Sequence, residues 1–204
     1  MMRWMVGLAT SLVLLAGCSS PKPTFYSLNA APIPQAAPEA KSARIMVGPV
    51  TLPSQFDRPQ LVTQNANNTV QVHEYHRWAN PLKGDISDVI ASSIASTLKI
   101  SNVWSFSQSM QTQFDYQIFL EVQSIENKPG EGVVVDVLWT IKPTNQAKPS
   151  SKPSPYAKTD SASKAMMGRS LVREPVTGDG LSASVAAQSR AFVKVGQEIA
   201  RSIP

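Results

Sequence analysis

The run from Tyr116 to Ile141 narrows the fold more than any other stretch of the chain. Tyr116, Ile118, Leu120 and Val122 alternate with Gln117, Phe119, Glu121 and Gln123. After a turn at Asn127-Lys128-Pro129-Gly130, Val133, Val135, Val137, Trp139 and Ile141 return with Asp136 and Thr140 on the other face. Strand side chains alternate with a period of two, so one face of this hairpin is apolar and has to be covered by a second layer. Two segments with a 3.6-residue period supply that layer. Leu82, Ile86, Val89, Ile90, Ile94 and Leu98 form one stripe, with Asp85, Asp88, Ser92 and Ser96 expected outside it. Leu181, Val185, Phe192, Val195, Ile199 and Ile203 form the second, over about 181–202. The expectation is an α+β chain: a single two-layer domain with a mixed or antiparallel sheet and two amphipathic helices on one face.

Local signals fill in the remainder. Asn80 and Pro81 suit the N-cap and first position of the first helix, which is expected to end near Ile100. Gly178-Asp179-Gly180 breaks the chain before the last helix. Arg44 to Val50 reads as a strand with Pro49 at its terminus or on a sheet edge. Pro53 to Thr63, the Asn65-Ala66-Asn67-Asn68 turn and a strand over 69–76 complete an expected β-meander. Gly168 to Glu174 resumes strand character.

Ahead of this domain stands a different kind of signal. Arg3 precedes an apolar core from Met5 to Ala16, and Leu15-Ala16-Gly17-Cys18 follows the pattern of a lipobox around the single cysteine of the chain. The run is shorter than the roughly 20 apolar residues of a membrane span. Residues 1–17 therefore read as a lipoprotein signal peptide, with Cys18 carrying S-diacylglycerol and an N-acyl group. Several acyl chains hold a protein to a bilayer where one gives marginal binding. Ser19, in place of aspartate, resembles the signal for export to a Gram-negative outer membrane, which places the anchor in its periplasmic leaflet.

Removing residues 1–17 from 204 leaves 187, the size of one domain. Residues 18–41 read as an acylated, Pro-rich tether, with Pro21, Pro23, Pro32, Pro34 and Pro38. A possible edge strand lies at 24–28, where Phe25-Tyr26-Ser27-Leu28 is strand-like. Residues 42–204 form the domain, interrupted at 143–163 by a Pro/Ser/Lys-rich insertion that buries too little to order itself. The net charge of +5 concentrates there. Lys142, Lys148, Lys152, Lys158, Lys164, Arg169 and Arg173 face only Asp160 between 142 and 173. An exported lipoprotein does not meet nucleic acid, so anionic headgroups or a partner's acidic rim are the counterparts considered. Arg58, Trp78, Lys142, Lys148 and Lys152 are the candidate partner or lipid surface, while Trp78, Trp104 and Trp139 also suit a core.

Chemistry is sparse. There is no Gly-x-Ser-x-Gly pentad. His73 and His76, three apart on a strand, are expected on opposite faces, which keeps them from sharing a metal or substrate. Asp85 and Asp88 suit a helix N-terminus better than a catalytic pair. No cofactor, metal or catalytic residue is expected.

The order of lipobox, Tyr26-Ser27-Leu28, the Val50–Val62 segment with Pro53 and Arg58-Pro59-Gln60, and Trp78-Ala79-Asn80-Pro81-Leu82 opening a helix resembles the ABC-type transport auxiliary lipoprotein family, in particular its paraquat-inducible protein C type. The resemblance implies a non-catalytic, lipid-anchored subunit of an intermembrane lipid transport system. Its partners would be an MCE-domain protein of the Pqi type, phospholipid and further copies of itself. The Pro/Lys-rich insertion departs from the family pattern. A lipid or ligand carrier and an outer-membrane assembly lipoprotein are the alternatives.

Overall fold

A computed structural model of the protein describes residues 21–32, 43–64, 69–106, 113–144 and 165–204. The signal peptide with its lipobox, Cys18, the Asn65-Ala66-Asn67-Asn68 turn, Lys148, Lys152 and the insertion beyond Thr144 lie outside the described residues. In chain order the elements are β1 (Thr24–Tyr26), β2 (Ile45–Thr51), β3 (Gln60–Gln64), β4 (Val70–Trp78), α1 (Leu82–Leu98), β5 (Val103–Ser105), β6 (Tyr116–Lys128), β7 (Gly132–Pro143), β8 (Met166–Pro175) and α2 (Gly180–Arg201).

The fold is α+β, with both helices on a five-stranded mixed sheet of order β5-β2-β6-β7-β8. Within it β6, β7 and β8 are antiparallel, as the alternating pattern predicts, while β2 runs parallel to both β5 and β6. Ile118, Leu120, Val133, Val135, Val137 and Ile141 face the helices and are buried. A register shift between Val122 and Ser124 moves the inward parity of β6 to Ile125.

The expected β-meander over 44–76 does not form. β2 joins the large sheet, whereas β3 and β4 pair antiparallel in a separate three-stranded sheet of order β1-β4-β3. Local signals mark strands; which distant strand each one pairs with is decided by the buried faces of the whole chain. Pro49 lies within β2, two residues short of its end. The pairing with β5 stops at Val47 and the register against β6 shifts between Val47 and Val50, so the missing amide proton falls where the ladders are interrupted. The carbonyls around this bulge accept from Ser87 Oγ (2.8 Å, Val47) and Gln117 Nε2 (3.1 Å, Gly48).

α1 is packed by β2 and β5 beneath and by α2 alongside. The two helices meet where α2 has Gly196: a Cβ there would lie 2.6 Å from Ser93 Cβ and 3.1 Å from the Ile90 carbonyl oxygen. Ser93 Oγ donates to the Val193 carbonyl at 2.6 Å across the same contact. The helix starts one residue later than the capping signal predicts. Pro81 is the N-cap, and the Asn80 side chain reaches Asp85 instead of capping. α2 follows its predicted stripe, with Phe192, Val195 and Ile199 fully buried.

The possible edge strand at 24–28 forms over Thr24–Tyr26, and the arm that follows it is the largest departure from the expected tether. β1 pairs parallel with β4 at the edge of the small sheet, and the chain then crosses the helical layer. The Leu28 amide donates to Asp85 Oδ2 at 3.1 Å, the Asn29 amide donates to Ser189 Oγ at 3.0 Å, and Ser92 Oγ donates to the Ala31 carbonyl. Asp85 and Ser92, expected outside the stripe, are buried because this arm covers them.

Candidate functional site

Two loops converge beside the arm. The stretch Asp57-Arg58-Pro59 before β3 and Trp78-Ala79-Asn80-Pro81-Leu82 between β4 and α1 line a groove of about 320 Å3. These are the segments whose order carries the family resemblance, brought together from two parts of the chain. Trp78 donates its amide to the Pro59 carbonyl at 2.7 Å, and Ala79 donates to the Tyr26 carbonyl at 2.7 Å. The arm, the small sheet and the groove are thus one hydrogen-bonded unit.

Lys83 Nζ closes one side on Asp57 Oδ2 at 2.7 Å. The Asp85 carboxylate at the base of α1 accepts from Asn80 Nδ2 at 3.2 Å and from the arm at Leu28. Trp78 is only 7% exposed, so it serves as a wall and structural anchor, not as the contact surface the sequence made it a candidate for. Arg58 is exposed and, among the described residues, has no hydrogen-bond or ion-pair partner. A guanidinium free to make bidentate contacts at the mouth of an apolar groove is suited to a phosphate or carboxylate.

Lys142 lies apart from this groove, at the end of β7, with Nζ 4.7 Å above the centroid of the Phe119 ring. The structure therefore brings Arg58 and Trp78 together and leaves Lys142 elsewhere.

His73 and His76 are not on opposite faces. Their rings lie 5.9 Å apart, edge to face. Between Gln60 and Leu61 the β3–β4 register jumps, so three extra residues of β4 bulge out and the two imidazoles turn toward each other. His73 Nε2 is 2.8 Å from Thr63 Oγ1, and His76 Nδ1 is 2.9 Å from Tyr26 Oη. Burial and the neighbouring His76 hold the His73 pKa below the ordinary imidazole value. With one ring nitrogen each committed to a hydroxyl, the histidines fasten β1 and β3 to β4.

A second groove, of about 390 Å3, runs along α2 past Asn29, Ser189, Arg190, Val193 and Lys194. Its cations are held by Glu174 of β8, which accepts from Arg190 Nε at 3.2 Å and pairs with Lys194 Nζ. Sequence reasoning missed both this cluster and the arm contacts, because each joins residues far apart in the chain.

No curated protein matches the chain. Crystal structures that share its fold include the following two. One, of an uncharacterized protein, superposes with a TM-score of 0.66 at 14% identity, over 90% of this chain and 100% of that one. The other, of the DUF330 protein XCC0632 from Xanthomonas campestris, gives 0.62 at 16% identity, over 87% and 92%. The family described as the ABC-type transport auxiliary lipoprotein component matches residues 26–200, from the arm through the last turns of α2. Both sheets except for Thr24 and Phe25 of β1, and both helices except for Arg201, fall within that match, and the chain belongs to the ABC-type transport auxiliary lipoprotein component family.

Proposed function

We propose that the protein is the non-catalytic outer-membrane subunit of an MCE-type intermembrane lipid transport system, holding the end of a periplasm-spanning partner against the outer membrane and so supporting its integrity. In this reading Cys18 carries the acyl anchor in the periplasmic leaflet, and identical subunits assemble around the partner. The observation that carries it is the fastening of the N-terminal arm. Residues 24–31 are tied to β4, α1 and α2, so only five residues separate Cys18 from Thr24, a reach of at most about 20 Å. A body held that close to a bilayer is placed to act as a socket at its surface. Membership of a transport auxiliary lipoprotein family supports the same role.

The experiment is affinity purification of the native protein in mild detergent, with copurifying proteins and lipids identified by mass spectrometry. An MCE-domain protein in stoichiometric amount is the expected result. Recovery of the protein alone, with an unmodified Cys18 thiol, would refute the proposal. Cys18→Ala is expected to leave a folded domain that no longer supports the envelope.

A further inference from the structure

The outer face of the three-stranded sheet carries exposed aromatic rings where a soluble domain has no need of them. Phe25 on β1 is 60% exposed and Tyr75 on β4 is 45% exposed. The opposite face of the same strands behaves normally: Tyr26 and His76 are hydrogen-bonded to each other and Trp78 is buried. Arg77 is in register with Phe25 and two residues from Tyr75, and its Nε donates to the Glu74 carbonyl at 2.9 Å. Among the described residues no carboxylate pairs with the guanidinium of Arg77 or of Arg58. Lys22 precedes the strand, and nearby Asp57 is neutralised by Lys83. Of the local acids only Glu74 remains, hydrogen-bonded to Gln60 Nε2. The face is therefore cationic and aromatic.

We infer that this face, built from Phe25, Tyr75 and Arg77 with Arg58 at its rim, lies on the surface of an anionic phospholipid bilayer. The inference rests on the anchored reading of Cys18 and adds an orientation to it. Phe25 is seven residues from Cys18, so the anchor and the sheet face cannot be far apart. Aromatic rings partition to the headgroup boundary, and cations next to them are drawn to acidic lipid, which reinforces an acyl anchor. The phosphate of a headgroup is the ligand that the free Arg58 guanidinium fits.

The test uses the full acylated protein. With Cys18 blocked by lipid, Tyr75→Cys and Leu171→Cys each provide a unique thiol for a fluorophore; Leu171 lies on β8, which packs on β7 and α2. The labelled proteins are bound to phosphatidylethanolamine vesicles containing phosphatidylglycerol and a headgroup-attached quencher, and bound protein is measured by flotation. Quenching at position 75 is expected to exceed that at 171 several-fold, and Arg58→Glu with Arg77→Glu is expected to bring it down to the level at 171 without loss of flotation. Equal quenching at both positions, stronger quenching at 171, or a position 75 that is covered by protein and unquenched would overturn the orientation while leaving the anchor intact. Protein that does not float would overturn the anchored reading and this face together.

Discussion

The backbone amide of Leu28 donates to the carboxylate of Asp85 at 3.1 Å, across 57 positions of sequence. The same carboxylate receives Asn80, so a single buried acid ties the arm to the loop of the groove and to the first turn of α1. Asp85→Ala leaves a buried amide without an acceptor, at a cost of about 1–3 kcal/mol. Urea denaturation is expected to register that loss, and hydrogen exchange at Leu28 to accelerate. Asp85→Asn, which keeps an acceptor oxygen, is expected to cost less.

Gly168 lies under the Trp139 ring in the β7–β8 register. A Cβ at this position would be 2.1 Å from Cζ2, and the ring is held in place by its Nε1 donating to Ser170 Oγ at 3.2 Å. Gly168→Ala is expected to destabilise the domain by about 1–3 kcal/mol and to change the near-ultraviolet circular dichroism of the tryptophan. Combined with Trp139→Val, which removes the obstruction, the two losses are expected to be less than additive.

The histidine pair predicts a pH dependence of definite sign. Burial first, and the charge of His76 second, hold His73 below its ordinary value of 6.5. The unfolded chain then binds the proton more readily than the folded one, so stability is greatest above pH 6.5 and declines as pH falls below it. His73→Gln is expected to flatten this decline in denaturation midpoints. His76→Gln is expected to move the His73 titration upward in proton NMR without restoring it fully, since burial remains.

Acid stability should depend on Glu174, whose side chain is 5% exposed. Burial pushes its pKa up, but hydrogen bonds from Lys194 and Arg190 outweigh that and hold it below its ordinary 4.5. Its contribution is present above pH 4.5 and lost as pH falls through the lowered value. Arg169 holds Asp136, and Arg44 holds Asp115, below 3.8 in the same sense. Glu174→Gln is expected to cost about 1.5–3 kcal/mol at neutral pH by chemical denaturation, with the deficit shrinking as the wild type is acidified.

Most elements were legible from periodicity alone. The alternation of Ile118, Leu120 and Val122 and the stripe through Phe192, Val195 and Ile199 describe faces that pack as predicted. What periodicity cannot contain is pairing at a distance. The parallel partners of β2, the separation of a small sheet, and the burial of Asp85 all depend on residues dozens of positions away. The parity argument for His73 and His76 failed because a bulge, set by the β3 partner, interrupts the period of two. Arg58, Trp78 and Lys142 stand together in one candidate surface; that the first two line one groove while Lys142 sits over Phe119 is a property of the fold.

The parallel run of β1 along β4 has a mechanical consequence. Thr24, Phe25 and Tyr26 are matched to His76, Arg77 and Trp78 in the same chain direction. A pull directed along β1 from its N-terminal end therefore loads all three pairs together in shear. Behind them, Asp85 and Ser189 grip the following residues. With Cys18 anchored as proposed, tension between bilayer and body would be carried by a clasp in shear, which gives way only when the whole clasp slips.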